Sequence, residues 1–175
     1  NLLKQDGIDV VFSEFDIPYD KNNLYIYSSA IPIDSEKFSK FHDKENVISR
    51  PEFLQNLSNE NKIIGITGTH GKTSTTALLS HIFHFNNVNV SYIYGGVTNF
   101  NGIGGHYGDS DQPIILETDE AYNTFEKILI SDLLVLNIDS DHLDFFQNFN
   151  NYKNAFLKVM NNVKDNLVIN YDDSV

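Results

Sequence analysis

The sequence predicts an α/β fold in which helices cover both faces of a parallel sheet. Short apolar segments alternate with helical patterns along the chain, and the apolar segments are nearly continuous, as in strands buried on both faces. Hydrophobic residues make up 41% of the chain and charged residues 21%, which is typical of a folded globular protein. The 175 residues are enough for one good core or two small domains.

The first 59 residues predict a small partial domain. Segments rich in β-branched and aromatic residues predict strands, and Pro32 takes the chain out of the sheet because proline cannot donate to a ladder. Asp34 or Ser35 can cap the helix that follows. The predicted elements are strands at 9–12, 24–27 and 47–48, and helices at 34–42 and 51–57.

The polar segment Ser58–Asn61 predicts a boundary between domains at 1–59 and 60–175. Beyond it, strands and helices alternate with the spacing of a parallel sheet, and the glycine-rich segment 99–111 is expected to be a loop. The predicted elements are strands at 62–67, 90–94, 113–116, 132–137 and 167–169, and helices at 72–85 and 152–163.

Residues 63–76 combine an apolar strand, a glycine-rich turn and a lysine followed by hydroxyl residues at a helix start. The glycines let backbone N–H groups close on phosphate oxygens, and the helix N-terminus adds the positive end of its dipole. Lys72 can reach the terminal phosphates, and the Thr73 hydroxyl can ligate Mg²⁺. The segment therefore predicts a site for a nucleoside triphosphate, with binding residues Gly68, Thr69, His70, Gly71, Lys72, Thr73 and Ser74.

This loop departs from the strict phosphate-loop pattern, which has a glycine five positions before the second glycine. Ile66 occupies that position, and Gly68 gives the shorter form G-x-x-G-K-T. The strand before the loop and the helix after it still favour phosphate binding.

Polar clusters follow two further predicted strands, at 117–120 and 139–144. The carboxyl ends of parallel strands meet at one edge of a sheet, where open α/β folds bind ligands. Glu117 is therefore a candidate Mg²⁺ ligand, although this acidic cluster could also simply keep the sheet edge solvated. His142, flanked by Asp141 and Asp144, is either a metal-site residue or a structural anchor of its loop.

The remaining glycines and His70 each have two interpretations. Gly95-Gly96 and the glycines at 102–105 are either flexible turns or places where backbone closely approaches a substrate. His70 either contacts phosphate or substrate, or merely fits the turn.

The net charge of −12 argues against nucleic acid and anionic membranes as partners, because both are negatively charged. No apolar segment approaches the roughly 20 residues of a membrane-spanning helix. The chain has no cysteine, which excludes disulfides and thiolate metal sites. A regulatory GTPase would need Asn-Lys-x-Asp at a strand end, whereas Asn61-Lys62 is followed by Ile63-Ile64.

The loop residues resemble the ATP loop of the Mur ligases, which build the bacterial peptidoglycan precursor; that loop also lacks the first glycine. The order and spacing of further motifs match across nearly the whole chain. These motifs are Ser28-Ser29-Ala30-Ile31, Gly95-Gly96, Glu117-x-Asp119-Glu120 and Asn137-Ile138-x-x-Asp141-His142-x-Asp144.

The resemblance implies a cytoplasmic ligase that uses ATP and Mg²⁺ to activate the carboxylate of UDP-N-acetylmuramate as an acyl phosphate, which the amino group of L-alanine then attacks. It implies catalytic roles for Lys72, Glu117 and His142, and Mg²⁺ ligation by Thr73, Glu117 and His142. It also implies that Gly95, Gly96 and Asn137 face the muramoyl substrate. The oligomeric state stays unknown.

Two departures from the family leave alternatives. Ala121-Tyr122 stand where the family usually has Ser-Asp, so a murein tripeptide is an alternative acceptor to L-alanine. By resemblance, 1–59 is part of a UDP-binding domain and 60–175 part of the central ATP-binding domain. We therefore expect little ligase activity from these 175 residues alone, and a nucleotide-binding module without catalysis is the remaining alternative.

Overall fold

The computed structural model describes residues 2–5, 7–11, 17–31, 36–98, 102–119, 125–139 and 146–173, with backbone only for residues 2, 5 and 37. The chain divides into two compact units, Asn1–Leu57 and Ser58–Val175. Across the described residues, no helix is both long enough and apolar enough to span a membrane.

The first unit contains a two-stranded parallel sheet. Strand β1 (Tyr25–Tyr27) pairs with β2 (Val47–Ser49), with Ile26 opposite Ile48. Helix α1 (Leu2–Gln5) precedes the sheet, a 3₁₀ helix (Glu36–Phe41) lies between its strands, and α2 (Arg50–Glu60) follows. Aromatic rings pack on β1, with Tyr25 and Phe41 ring centroids 5.0 Å apart and those of Tyr27 and Phe38 4.8 Å apart.

Two expectations for this part of the chain were wrong. Of the strand expected at 9–12, residues 9–11 form no strand, since they pair with no other described segment, and Phe12 lies outside the described residues. The helix expected at 34–42 is a six-residue 3₁₀ helix within its described part. The polar residues 58–60, where a domain boundary was expected, form the end of α2 and lie next to the division between the two units after Leu57. The buried Ser58 hydroxyl accepts the Leu129 N–H at 3.0 Å.

The second unit has a six-stranded sheet in the order β5-β4-β6-β3-β7-β8. The strands are β3 (Ile63–Thr67), β4 (Ser91–Thr98), β5 (Gly102–His106), β6 (Ile114–Glu117), β7 (Asp132–Val135) and β8 (Asn166–Ile169). Helices α3 (Lys72–Phe85) and α4 (Phe149–Asn161) connect β3 to β4 and β7 to β8. The α/β class and the mainly parallel sheet are therefore confirmed.

The glycine-rich segment expected to be a loop contains an antiparallel edge strand instead. Strand β5 pairs with β4, and their register shifts between Ile93 and Val97. A Cβ atom at Gly104 would overlap the carbonyl oxygen of Tyr94, so the absence of a side chain lets the two strands approach. Sequence patterning missed β5 because its glycines lack the side chains that mark a strand.

Strand β3 is central because its sequence is apolar on both faces. Ile63, Ile66 and Thr67 are fully buried, and a Cβ atom at Gly65 would lie 3.2–3.3 Å from Ile130 and Leu133. One core cluster packs α3 against the sheet, with members Ile66, Ala77, Val90, Tyr92, Tyr94 and Ile115. A second cluster packs α4, with Phe125, Tyr152 and Phe156 in edge-to-face contact.

The connections after β3 and β7 run in opposite directions across the sheet, the first to β4 and the second to β8. Neighbouring strands whose connections diverge leave a crevice at their carboxyl ends, where ligands bind in open α/β folds. The segments after β3 and β7 both begin at this crevice.

Candidate active site at the carboxyl edge

Three parallel neighbours bring the predicted site residues to one edge of the sheet. Strand β3 lies between β6 and β7, with Ile66 opposite Glu117 and Thr67 opposite Val135. The chain leaves these strands at Gly68, Thr118 and Leu136, so the glycine loop, the acidic cluster and the Asn137 segment emerge together. This is the convergence that the sequence predicts for its phosphate loop and acidic cluster.

The loop after β3 has the backbone of a compact turn built on glycine. Gly68 has φ +141° and Gly71 has φ +84°, both in the region that residues with a Cβ atom rarely adopt. Gly71 forms the N-cap of α3 without a side-chain hydrogen bond, so no capping side chain occupies the helix N-terminus. A residue with a Cβ atom at either position would be strained, so both positions favour glycine.

Lys72 folds back over the loop at the first position of α3. Its Nζ donates to the Gly68 carbonyl oxygen at 2.8 Å and approaches the Thr69 carbonyl oxygen at 3.4 Å. The ammonium group thus lies beside the loop backbone, where it can change its hydrogen-bond partners from these carbonyl oxygens to the oxygens of a bound phosphate.

Thr73 and Glu117, both predicted to hold Mg²⁺, are in direct contact. The Thr73 hydroxyl donates to Glu117 Oε1 at 2.8 Å, and the Gly95 N–H donates to Glu117 Oε2 at 2.7 Å. Both carboxylate oxygens are therefore oriented by hydrogen bonds. A hydroxyl and a carboxylate side by side are hard oxygen donors, and this donor set fits Mg²⁺.

Gly95 and Gly96 lie inside β4 instead of ending it, which corrects the strand boundary predicted at Tyr94. They occupy the stretch where the register with β5 shifts, and they pass directly beside the contact between Thr73 and Glu117. A Cβ atom at Gly96 would lie 2.9 Å from Thr73 Cγ2. The pair is therefore part of a strand and not a flexible turn. Its close approach to a substrate stays a prediction.

Asn137 contacts the phosphate loop at three atoms. Its Oδ1 accepts the His70 N–H at 2.8 Å, its Nδ2 donates to the His70 carbonyl oxygen at 3.0 Å, and its own carbonyl oxygen accepts the Thr69 N–H at 3.0 Å. His70 has an exposed side chain, while its backbone is held on both sides. The sequence identified Asn137 as a site residue but gave no sign of this contact.

Thr69 joins the loop to two further segments. Its buried hydroxyl accepts the Asp139 N–H at 2.8 Å and lies 2.9 Å from the hydroxyl of Tyr152, which is fully buried on α4. Sequence reasoning missed Tyr152, since an aromatic residue in a helical pattern predicts core packing. Only the contact of its hydroxyl with Thr69 shows that Tyr152 also helps to hold the loop. No pattern in the sequence predicts this contact.

The remaining predicted residues fall into two groups. Ser74 lies in the first turn of α3, and Asp119 lies exposed two residues after β6. His142, Glu120, Asp141 and Asp144 lie outside the described residues, as do Ala121 and Tyr122. Within the described ranges, no group of three or more His, Asp or Glu side chains could hold a metal ion.

Comparison with known proteins connects this geometry to a family. The Mur ligase middle domain matches residues 66–175, which contain the loop, Glu117 and Asn137. The chain belongs to the Mur ligase family. The resemblance seen in the sequence is thereby confirmed.

Individual Mur ligases align with nearly the whole chain. A UDP-N-acetylmuramate–L-alanine ligase from Hydrogenobaculum is 35% identical over 98% of this chain and 39% of its own length. The crystal structure of UDP-N-acetylmuramate–alanine ligase from Thermotoga maritima matches with a TM-score of 0.82 and 25% identity, over 98% of this chain and 40% of that one. The chain spans 34–39% of the length of the first curated relatives that it matches.

A ligase with a peptide substrate shares the fold. The Neisseria UDP-N-acetylmuramate:L-alanyl-γ-D-glutamyl-meso-diaminopimelate ligase matches with a TM-score of 0.77 and 20% identity, over 99% of this chain and 60% of that one. At this identity the likeness concerns the fold alone, so it does not decide between acceptors.

Proposed function

We propose that this chain contributes the ATP-binding site of a ligase that joins L-alanine to UDP-N-acetylmuramate through an acyl phosphate. The observation that carries this proposal is the contact of Thr73 with Glu117 at 2.8 Å, beside the glycine loop and Lys72. A phosphate loop with an adjacent pair of hard oxygen ligands is what transfer of a phosphoryl group from Mg·ATP requires.

The chain's own residues account for the binding of the triphosphate. Lys72 Nζ, which donates to the Gly68 carbonyl oxygen, would bind phosphate oxygens instead and offset the repulsion between two anions. Thr73 and Glu117 would hold Mg²⁺, and Gly95 keeps the Glu117 carboxylate oriented through its N–H. When bound, Mg·ATP supplies the phosphoryl group that turns a poor electrophile into one with a good leaving group.

The family resemblance supports further assignments that stay proposals. The loop residues Gly68, Thr69, His70, Gly71 and Ser74 would surround the phosphates. Gly95 and Gly96 would lie next to the muramoyl substrate, and His142 would place the metal or the acyl phosphate.

L-alanine is the acceptor that we favour. The support is that the Hydrogenobaculum relative and the Thermotoga maritima neighbour are both named as alanine ligases. A murein tripeptide stays the alternative acceptor, because Ala121-Tyr122 replace the Ser-Asp usual in the family.

The test measures phosphate release with UDP-N-acetylmuramate, Mg·ATP, and either L-alanine or tripeptide, using the longest product that the gene encodes. We expect release that depends on alanine. Release with tripeptide alone would support the alternative, and release with neither would overturn a ligase function.

Lys72→Ala should lower this activity by at least about a hundredfold, because the γ-phosphate loses its cationic partner during transfer. Lys158→Ala is the matched control, since its exposed ammonium lies on α4, 3.7 Å from Glu126. Unchanged activity in the Lys72 variant would refute the assignment of the loop.

We further propose that the 175-residue chain alone has little ligase activity, since it spans about a third of its relatives' length. Phosphate release by this polypeptide that depends on alanine would contradict that proposal. A cytoplasmic location, and small molecules as its partners in place of nucleic acid or membrane, likewise stay predictions from the resemblance and composition.

A further inference from the structure

We propose that Asn137 is a positioning residue whose carboxamide fixes the His70 peptide and thereby sets the shape of the phosphate loop. The inference rests on the proposed binding of Mg·ATP at this loop. It gives Asn137 a function in the loop, whereas the resemblance alone gives it a place next to the muramoyl substrate.

The Asn137 carboxamide forms a pair of hydrogen bonds with the backbone of His70, one as acceptor and one as donor. Oδ1 accepts the His70 N–H at 2.8 Å, and Nδ2 donates to the His70 carbonyl oxygen at 3.0 Å. Only a side chain with an acceptor and a donor in one plane can make both bonds, and asparagine has both on a short stem. Aspartate could accept but not donate, and alanine could do neither.

The loop backbone is also seated against the backbone of Asn137. A Cβ atom at Gly68 would lie 3.0 Å from the Asn137 carbonyl oxygen and 3.1 Å from its nitrogen. The Thr69 N–H donates to the same carbonyl oxygen at 3.0 Å. Three consecutive loop residues, Gly68 to His70, therefore lie on Asn137.

These contacts of Asn137 with the loop are called the clamp below. The backbone on either side of Asn137 is itself held by hydrogen bonds. Before Asn137, the Leu136 N–H donates to the Thr67 carbonyl oxygen at 3.0 Å and continues the pairing of β7 with β3. After it, the Ile138 N–H donates to Asp173 Oδ2 at 2.8 Å, and the Asp139 N–H donates to the Thr69 hydroxyl. A side chain on a fixed backbone can impose its geometry on the loop that it contacts.

The clamp determines which part of the loop receives phosphate. Because the N–H groups of Thr69 and His70 donate to Asn137, backbone N–H contacts with phosphate would come from Gly71 and the first turn of α3, and Thr69 and His70 would lie beside the phosphates without donating their own N–H groups.

The test titrates the longest product that the gene encodes with Mg·ATP and, separately, with Mg·tripolyphosphate, which has only the part of ATP that contacts the loop. Asn137→Ala should weaken both by about tenfold, since two hydrogen bonds that preorganise the loop are lost. Asn89→Ala is the matched control. Its carboxamide also makes two side-chain contacts, with His106 and Asp109, but it precedes β4 at the amino end of the sheet.

Hydrogen exchange of the His70 amide in the absence of nucleotide supplies a local readout of this contact, and Asn89→Ala controls for effects of the substitution elsewhere in the sheet. We expect protection in the wild type, in Asn89→Ala and in Asn137→Asp, which keeps the acceptor, and faster exchange in Asn137→Ala. The proposal is overturned if Asn137→Ala binds both probes within twofold of wild type, if Asn89→Ala loses as much affinity, or if His70 exchange does not respond. A wild-type chain that binds neither probe would refute the proposed function and this inference with it.

Discussion

At the scale of single residues, the site depends on its glycines as much as on its polar side chains. Gly68 lies against Asn137, and Gly96 lies against Thr73, so backbone and candidate site residues approach to distances that a Cβ atom would prevent. The Gly95 N–H then reaches Glu117 Oε2 directly. Sequence reasoning could identify these glycines as special, but it could not say what each one approaches.

Gly96→Ala should weaken binding of Mg·ATP by about five- to tenfold, because the new Cβ atom would lie 2.9 Å from Thr73 Cγ2 and displace the hydroxyl from Glu117. Thr73→Ser removes Cγ2 but keeps the hydroxyl, so the double variant Gly96→Ala/Thr73→Ser should recover most of the affinity. Calorimetric titration measures both effects. Gly105→Ala is the control, since a Cβ atom there would meet no atom of the described residues within 4 Å; equal losses in the single and double variants would contradict the explanation.

At the scale of elements, the phosphate loop is held by strands and by a helix far away in sequence. The segment after β7 supplies Asn137 and Asp139, while α4 supplies Tyr152. The Asn148 side chain accepts the Asn151 N–H and caps the start of α4. This cap fixes where the helix begins and hence where Tyr152 lies. The loop is therefore coupled to the packing of α4.

Tyr152→Phe should lower the free energy of unfolding by about 1 kcal/mol, because the buried hydroxyl loses its contact with Thr69 while the ring stays packed. A double-mutant cycle with Thr69→Val, followed by urea unfolding, isolates this pair from the bonds that Thr69 makes with Asp139. A coupling energy near zero would show that the two hydroxyls do not support each other.

At the scale of the whole molecule, polar groups are divided between the two ends of the sheet. The carboxyl edge holds the candidate site, whereas at the opposite edge Lys62 contacts Asp132 at 3.1 Å and Asp165 at 3.2 Å. Burial alone would raise the pKa of Asp132, but hydrogen bonds from Asn166 and Lys62 outweigh it and hold that pKa below 3.8. Hydrogen bonds to Asp132 and Asp165 raise the pKa of Lys62 above 10.5.

These shifts predict how stability depends on pH. A carboxyl group with a lowered pKa in the folded state stabilises it above pH 3.8, and this contribution is lost as the pH falls through the lowered value. The Lys62 contribution is present below pH 10.5 and is lost as the pH rises through its raised pKa. The destabilisation of Asp132→Asn, measured by urea unfolding, should therefore be constant near neutrality and shrink below about pH 4. Asp111→Asn, on an exposed segment, is the control, and a difference independent of pH would contradict the assignment.

Much of the fold could be predicted because local pattern and tertiary packing agree. The apolar run of β3 and the start of α3 at Lys72 were predicted closely, since glycine and lysine mark the end of one element and the start of the next. Strand β5 could not be predicted, because its glycines lie in a sheet only through their pairing with β4. The expected helix at 34–42 failed for a similar reason, since a local cap does not determine whether a segment winds as α or 3₁₀.

The sequence by itself determined the α/β class and the Mur ligase family, and it predicted the chemistry of the loop, because these depend on residue types at short spacing. Only the tertiary structure decided how the loop is held. The contacts of Asn137 with His70, of Thr69 with Tyr152 and of Gly96 with Thr73 join residues 67, 83 and 23 positions apart. No local pattern contains such distances, because they are set when parallel strands bring remote segments to one edge of the sheet.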